Sequence, residues 1–210
     1  MARSTKTEAL ETRNRILDAA ELVFHAQGVS RTSLEDVAQA AAVTRGAIYW
    51  HFKNKADLFN AMAQRVRLPM EVMVEAGGDV GQADPIGQLR SAMIFMLQET
   101  ARNPQSRRVF DIILLKCEFI DASDPIWSRR QDVAKKALAN FQRIMSNAIK
   151  RGQLAEDLDV PLACRALHAM IVGLINNWLF NPGTLDLAQE APRLVDGCLD
   201  MLRYASSLRH

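Results

Sequence analysis

The chain has 210 residues, 49% of them apolar and 24% charged, with 26 basic against 24 acidic side chains and a net charge of +2. A chain of this size buries roughly two thirds of the surface its unfolded form exposes, so it can build a hydrophobic core without metal or disulfide staples, and disorder and collagen-like repeats are excluded. Three widely spaced cysteines in apolar surroundings, Cys117, Cys164 and Cys198, together with a polar start that lacks a secretory leader, lead to the expectation of a reducing, cytoplasmic location.

Glu8 to Gln27 forms an amphipathic helix through Ile16, Leu17, Ala20, Val23 and Phe24, stopped at Gly28. Thr32-Ser33-Leu34-Glu35 has the form of a capping box and opens a short helix to about Ala41. Ala42-Val43 leads tightly into a third helix, Thr44 to Trp50, and Asn54 caps a fourth that runs from Lys55 to about Ala76. A short helix, a turn of few residues and a second short helix make a helix-turn-helix, here at about 32–52. Pro69 lies in the middle of the fourth helix, where its missing N–H predicts a bend. Beyond it, Asp84-Pro85, Asn103-Pro104, Asp124-Pro125 and Asp159-Val160-Pro161 each set a capping side chain before a proline, the pattern of helix starts. Gly152 ends the helix that begins near Pro125, and two more follow, Pro161 to Phe180 and Leu187 to Tyr204. The uncharged window Ala166 to Leu185 holds His168, Asn176, Asn177 and Asn181 and reads as a buried helix with its exit, not a membrane span. Strand-like alternation is nowhere sustained, so the expected fold is all-α with about nine helices.

The chemistry concentrates on the third helix. Ile48 and Phe52 are four apart and point inward, whereas Arg45 and Tyr49, also four apart, point elsewhere. From Ala42 to Lys55 there are three basic residues, Arg45, Lys53 and Lys55, and no acidic one, a run that a phosphate backbone selects. Gly46 and Ala47 present almost no side chain, which lets the helix approach base edges in a groove about 12 Å wide. Arg45 has the geometry to pair with guanine, and Thr44, Tyr49 and His51 can bind phosphate or touch thymine methyls. The competing account of Tyr49-Trp50-His51 is aromatic packing at a helix end.

The run Ala40-Ala41-Ala42-Val43-Thr44-Arg45-Gly46-Ala47-Ile48-Tyr49-Trp50-His51-Phe52-Lys53-Asn54-Lys55 resembles the central motif of TetR-family transcriptional repressors nearly residue for residue. The resemblance extends along the chain through Ala2-Arg3 with Thr5-Lys6, Glu11-Thr12-Arg13, Lys116-Cys117-Glu118-Phe119, Gly152-Gln153-Leu154, Gly173-Leu174-Ile175 with Trp178, and Leu199-Asp200-Met201-Leu202, which look like the AcrR/TtgR branch. It implies a DNA-binding domain at 9–69 and a ligand-binding and dimerisation domain at 70–210. The DNA interface is expected at Thr32, Ser33, Thr44, Arg45, Gly46, Ala47, Tyr49, Trp50, His51 and Lys55. By the same resemblance, inward positions of the larger domain form a pocket: Val66, Arg67, Met70, Leu89, Met93, Met96, Phe110, Leu114, Phe141, His168, Ile171, Val172 and Ile175. Because most of these are apolar, the ligand should be too. Arg67 and His168 are candidate polar anchors, with a surface position and a core histidine as the respective alternatives. Methionine suits a pocket of variable shape and equally fills gaps between helices. The implied function is repression of a multidrug-efflux operon, binding a near-palindromic operator as a homodimer, singly or as two dimers, and released by a hydrophobic small molecule. The family usually has glycine where Ala42 stands, and a positive φ there would strain alanine by about 1 kcal/mol.

The apolar stripe Leu187, Leu194, Val195, Cys198, Leu199 and Leu202, with the small residues Ala163, Ala166, Ala169 and Gly173 on the preceding helix, is expected to form the dimer. Enzyme chemistry is not expected: Cys117 with His168 is the single pair worth testing, no orienting Asn or Asp accompanies it, no metal spacing links the histidines to the cysteines, and no cofactor motif is present. Two other readings stay open, a repressor of metabolic or stress genes with a defined metabolite as ligand, and a helical adaptor that uses the basic segment for protein contacts.

Overall fold

The computed structural model describes residues 2–117 and 125–210, with side chains from Lys6 onward. The expected cap at Asp124 and the Glu118-Phe119 part of the sequence motif lie outside the described residues. Among those described there are nine α-helices: α1 (Ala2–Gln27), α2 (Leu34–Ala40), α3 (Arg45–His51), α4 (Lys55–Gly77), α5 (Pro85–Arg102), α6 (Pro104–Leu115), α7 (Pro125–Lys150), α8 (Val160–Phe180) and α9 (Leu187–Tyr204). A 3-10 turn, Ser206–Leu208, follows α9, and a lone antiparallel bridge joins Leu158 to Arg209.

The helix boundaries follow local chemistry. Gly28 (φ +83°) and Gly152 (φ +71°) end α1 and α7 in the left-handed region that glycine adopts without strain. Carboxylates cap three starts: Asp84 accepts from the N–H of Gly87 at 2.8 Å, Asp159 from Leu162 at 3.0 Å, and Asp186 from Gln189 at 3.0 Å. Asn103 does the same for α6, accepting from the N–H of Gln105 at 2.9 Å. A Cβ on Gly87 would collide with the Asp84 carboxylate, so that cap requires glycine. Helix α4 runs uninterrupted through Pro69.

Contacts divide the chain into two compact units, residues 1–66 with 108–130, and residues 67–107 with 131–210. The sequence places residues 108–130 with the second domain; the described residues among them, 108–117 and 125–130, group by contact with the first.

In the first unit, Ile16, Leu17, Ala20 and Phe24 of α1, Val37 of α2, Ile48 of α3 and Leu58 of α4 are wholly buried. Each large side chain of this kind contributes about 1.5–3 kcal/mol through burial, which is how helices as short as α2 and α3 persist. Phe24 meets Phe59 edge to face at 6.2 Å between ring centroids. The C-terminal part of α6 is tied to α1 by charge. Glu21, 2% exposed, accepts from Arg108 Nε at 2.7 Å, and Asp111 lies 3.0 Å from His25 Nε2 and 3.1 Å from Lys116 Nζ.

In the second unit α5 packs along α9. Ile86, Leu89, Met93 and Leu97 of α5 and Leu187, Ala191, Val195, Cys198 and Leu202 of α9 are buried. The Arg90 guanidinium grips Asp196 through two hydrogen bonds, 2.6 and 2.9 Å. The apolar stripe expected to form a dimer is therefore consumed within the chain, with only Leu194 half-buried. Periodicity reveals that a face is covered and not by what. The outward apolar face lies on α8 instead, at Leu162, Ala169, Met170 and Phe180 beside the half-buried Ala166 and Gly173. By length and composition α8 could cross a membrane, yet its Ala163, Cys164, Leu167, Ile171 and Ile175 are buried in this unit, as in a core helix.

Candidate nucleic-acid interface

The α2–α3 connection is a Schellman turn. Val43 N–H donates to the Ala38 carbonyl at 3.0 Å and Ala42 N–H to the Gln39 carbonyl at 3.1 Å. Ala42 occupies its left-handed position at φ +51°, and no other non-glycine residue described has positive φ. The strain expected of alanine there is present. Immediately afterwards the Thr44 hydroxyl oxygen caps α3, accepting from the Ala47 N–H at 3.2 Å, which leaves its own O–H available to a phosphate oxygen.

Capped at one end and pinned inward by Ile48 and Phe52, α3 turns Arg45, Gly46, Tyr49 and Trp50 to solvent. Tyr49 is 47% exposed and Trp50 71%, so packing of aromatics at a helix end does not account for them. Ala47 and His51 are half-buried. Burial, with the Arg13 charge as a smaller cause, holds His51 below its ordinary pKa, so it faces the surface as a neutral imidazole. Trp50 stands edge to face against it at 4.5 Å. Arg45 lies over the Tyr49 ring, 5.7 Å from its centroid, and its Nη1 is 2.7 Å from Glu35 Oε1 on α2.

Three sequence expectations change on folding. The capping box is one residue later than Thr32 and Glu35: Ser33 caps α2, its hydroxyl oxygen accepting from Asp36 N–H at 3.1 Å, while the Asp36 carboxylate accepts from Ser33 N–H at 2.8 Å. Thr32 is 2% exposed and donates its hydroxyl to the Gly28 carbonyl at 2.7 Å, so it supports the turn from beneath. Lys55 is a tether, its ammonium donating to the carbonyls of Val29, Ser30 and Thr32 at 2.8, 2.9 and 2.9 Å, which uses all three donors. Besides Arg45, the exposed cations here are Arg31 and Lys53, which with Ser33, Glu35, Tyr49, Asn54 and the tethered Lys55 line an open groove. The residues expected at the interface do not include Arg31, although a cation two residues before the Ser33 cap of α2 is a usable signal.

The N-terminal model for bacterial regulatory proteins of the tetR family matches residues 16–62, and the C-terminal model of MAATS-type transcriptional repressors matches residues 84–204. The chain belongs to the TetR family. It is 39% identical to the HTH-type transcriptional regulator TtgR of Pseudomonas putida over the whole of both chains. NalD, the secondary repressor of the MexAB-OprM multidrug efflux pump in Pseudomonas aeruginosa, superposes with a TM-score of 0.84 at 36% identity, covering 94% of this chain and 99% of its own. The triclosan complex of SmeT, repressor of the SmeDEF multidrug efflux pump of Stenotrophomonas maltophilia, gives 0.83 at 33% identity, with 93% of each chain covered. This TetR-family chain is a transcriptional repressor and not an enzyme; it binds operator DNA as a dimer and responds to a small molecule.

Of the residues expected to line the regulator's pocket, Val66, Phe110 and Leu114 belong to the first unit and the other ten to the second. Met70, Leu89, Met93, Phe141, Ile171 and Ile175 are buried there, and Met96 and Val172 half-buried. The Arg67 side chain is 19% exposed with Nε 3.8 Å from Glu71, so it is not a surface arginine. His168 lies 6.5 Å from the Phe141 ring, between centroids, and burial lowers its pKa, leaving a neutral group among apolar ones. Cys117 and His168 fall in different units, and burial raises the Cys164 thiol to about 12, keeping it protonated and inert.

Proposed function

We propose that this protein represses a multidrug-efflux operon in the cytoplasm and releases DNA when a largely apolar drug or aromatic compound binds. The outward face of α3 carries the reading: a capped helix with two small residues and an exposed Arg45-Tyr49-Trp50 surface beside an open groove holding Arg31 and Lys53. Arg45 pairs with guanine in the major groove, and Thr44, Tyr49, Arg31 and Lys53 grip the flanking phosphates. Residues 9–69 read DNA, while residues 70–210 supply the ligand site and the dimer. The efflux target is supported by relatives that match along the full length. The apolar character of Met70, Leu89, Met93, Met96, Phe141, Ile171, Val172 and Ile175 supports a hydrophobic inducer, with Arg67 and His168 as its polar anchors.

The outward face of α8, with Leu162, Met170 and Phe180 around Ala166, Ala169 and Gly173, is the surface that pairs two copies. A twofold dimer sets its two recognition helices roughly 34 Å apart along the duplex, which demands a near-palindromic operator. The deciding experiment is fluorescence-polarisation binding to the DNA directly upstream of the protein's own gene, with and without a panel of apolar aromatic compounds. Tight, salt-sensitive binding released by such compounds is expected. Release only by a defined metabolite would overturn the efflux reading, and salt-insensitive or absent binding would overturn the assignment of this operator.

A further inference from the structure

Among the described residues, Glu35 is the only acidic one lining the groove beside α3. Its carboxylate is not engaged in capping α2, because Ser33 and Asp36 complete that box between themselves. It reaches across to α3, where its Oε1 lies 2.7 Å from Arg45 Nη1. Both groups face solvent, with 70% of the Arg45 side chain and 56% of the Glu35 side chain exposed, so this pair adds little to stability. Its placement has a different consequence. Arg45 is held by the carboxylate on one side and by the Tyr49 ring, 5.7 Å from its centroid, on another, while the remaining N–H groups of its five-donor fork stay open.

We propose that Glu35 is a specificity-determining residue that acts through Arg45: it holds the guanidinium in the orientation that reads a base and, as a negative charge among phosphate-seeking cations, weakens binding to DNA of the wrong sequence. The inference rests on the assignment of Arg45 to base reading. A long flexible arginine without a fixed partner can neutralise any nearby phosphate, an interaction that carries no sequence information. One clamped between a carboxylate and a ring loses fewer conformers when it meets the edge of guanine. The carboxylate also repels the duplex wherever Arg45 finds no guanine to bind, so its effect falls more heavily on wrong sites than on right ones.

The test compares the wild type, Glu35→Gln and Arg45→Ala on a pool of randomised duplex DNA, sequencing the bound fraction for base preference at each position, with a scrambled duplex for bulk affinity. Thermal melts establish that the variants fold; Glu35→Gln keeps the side-chain shape and leaves the Ser33–Asp36 box intact. The wild type should prefer guanine at one position per half-site, by roughly 5- to 150-fold over the other bases, and Arg45→Ala should abolish that preference. Glu35→Gln should weaken the same preference about 3- to 10-fold, leave other positions unchanged, and raise affinity for the scrambled duplex about 2- to 5-fold at low salt. If Arg45→Ala removes the preference while Glu35→Gln leaves it within about twofold, the role of Glu35 is refuted and that of Arg45 stands. If Arg45→Ala changes no position, base reading by Arg45 is refuted and the role of Glu35 with it.

Discussion

Replacing Ala42 by glycine should stabilise the protein, although it removes a methyl group from the turn between α2 and α3. Alanine at φ +51° brings Cβ toward the following carbonyl oxygen, which costs on the order of 1–2 kcal/mol. Glycine escapes that cost and has more freedom in the unfolded chain, a loss of about 0.4–1 kcal/mol. The Ala42 side chain is exposed, so no packing is forfeited, and the turn's two hydrogen bonds are made by backbone groups that glycine retains. The net gain is therefore about 0.5–1 kcal/mol, which for a protein of this size raises the melting temperature by roughly 1–4 °C. Differential scanning calorimetry at one fixed protein concentration measures it, since dimerisation makes the melting temperature concentration-dependent. Operator affinity should stay within about twofold, because α3 keeps its Thr44 cap. A lower melting temperature for Ala42→Gly would show that the turn has ordinary helical geometry and would refute the strain argument.

Two further substitutions test other parts of the structure. Lys55→Met leaves the carbonyls of Val29, Ser30 and Thr32 without their ammonium and should lower stability by about 1–3 kcal/mol in urea titration, with the salt slope of DNA binding unchanged; a slope reduced by about one would mean that Lys55 contacts a phosphate after all. The pKa of His168 lies below its ordinary 6.5 because of burial, so between 6.5 and its lower folded value the unfolded chain binds more protons and stability falls as pH falls. His25, lowered chiefly by burial and then by Lys116, and His51 act in the same direction. Replacing His168 with glutamine should flatten the loss of melting temperature between about pH 7 and pH 5, and an unchanged or steeper profile would refute the assignment.

Much of this protein is legible along the chain because its signals are local. The caps at Asp84, Asn103 and Asp159, the glycines that stop α1 and α7, and the inward spacing of Ile48 and Phe52 all act within one helical turn, and each is found where the sequence places it. The helix-turn-helix, its exposed Arg45 and Tyr49 and the strained Ala42 belong to the same class, since backbone geometry over five or six residues determines them.

Folding decided the partners of side chains that reach across sequence. Moving the capping box by one residue released Glu35 to pair with Arg45 and sent Thr32 beneath the surface. Lys55, a cation by composition, became a tether once a loop more than twenty residues earlier in the chain brought three carbonyls to it. The α9 stripe was equally ambiguous: its period requires a covered face, and only the tertiary structure assigns that cover to α5 and leaves one apolar face of α8 outward. Hydrophobic periodicity states how much surface must leave water, whereas the identity of the partner depends on which elements the whole fold brings together.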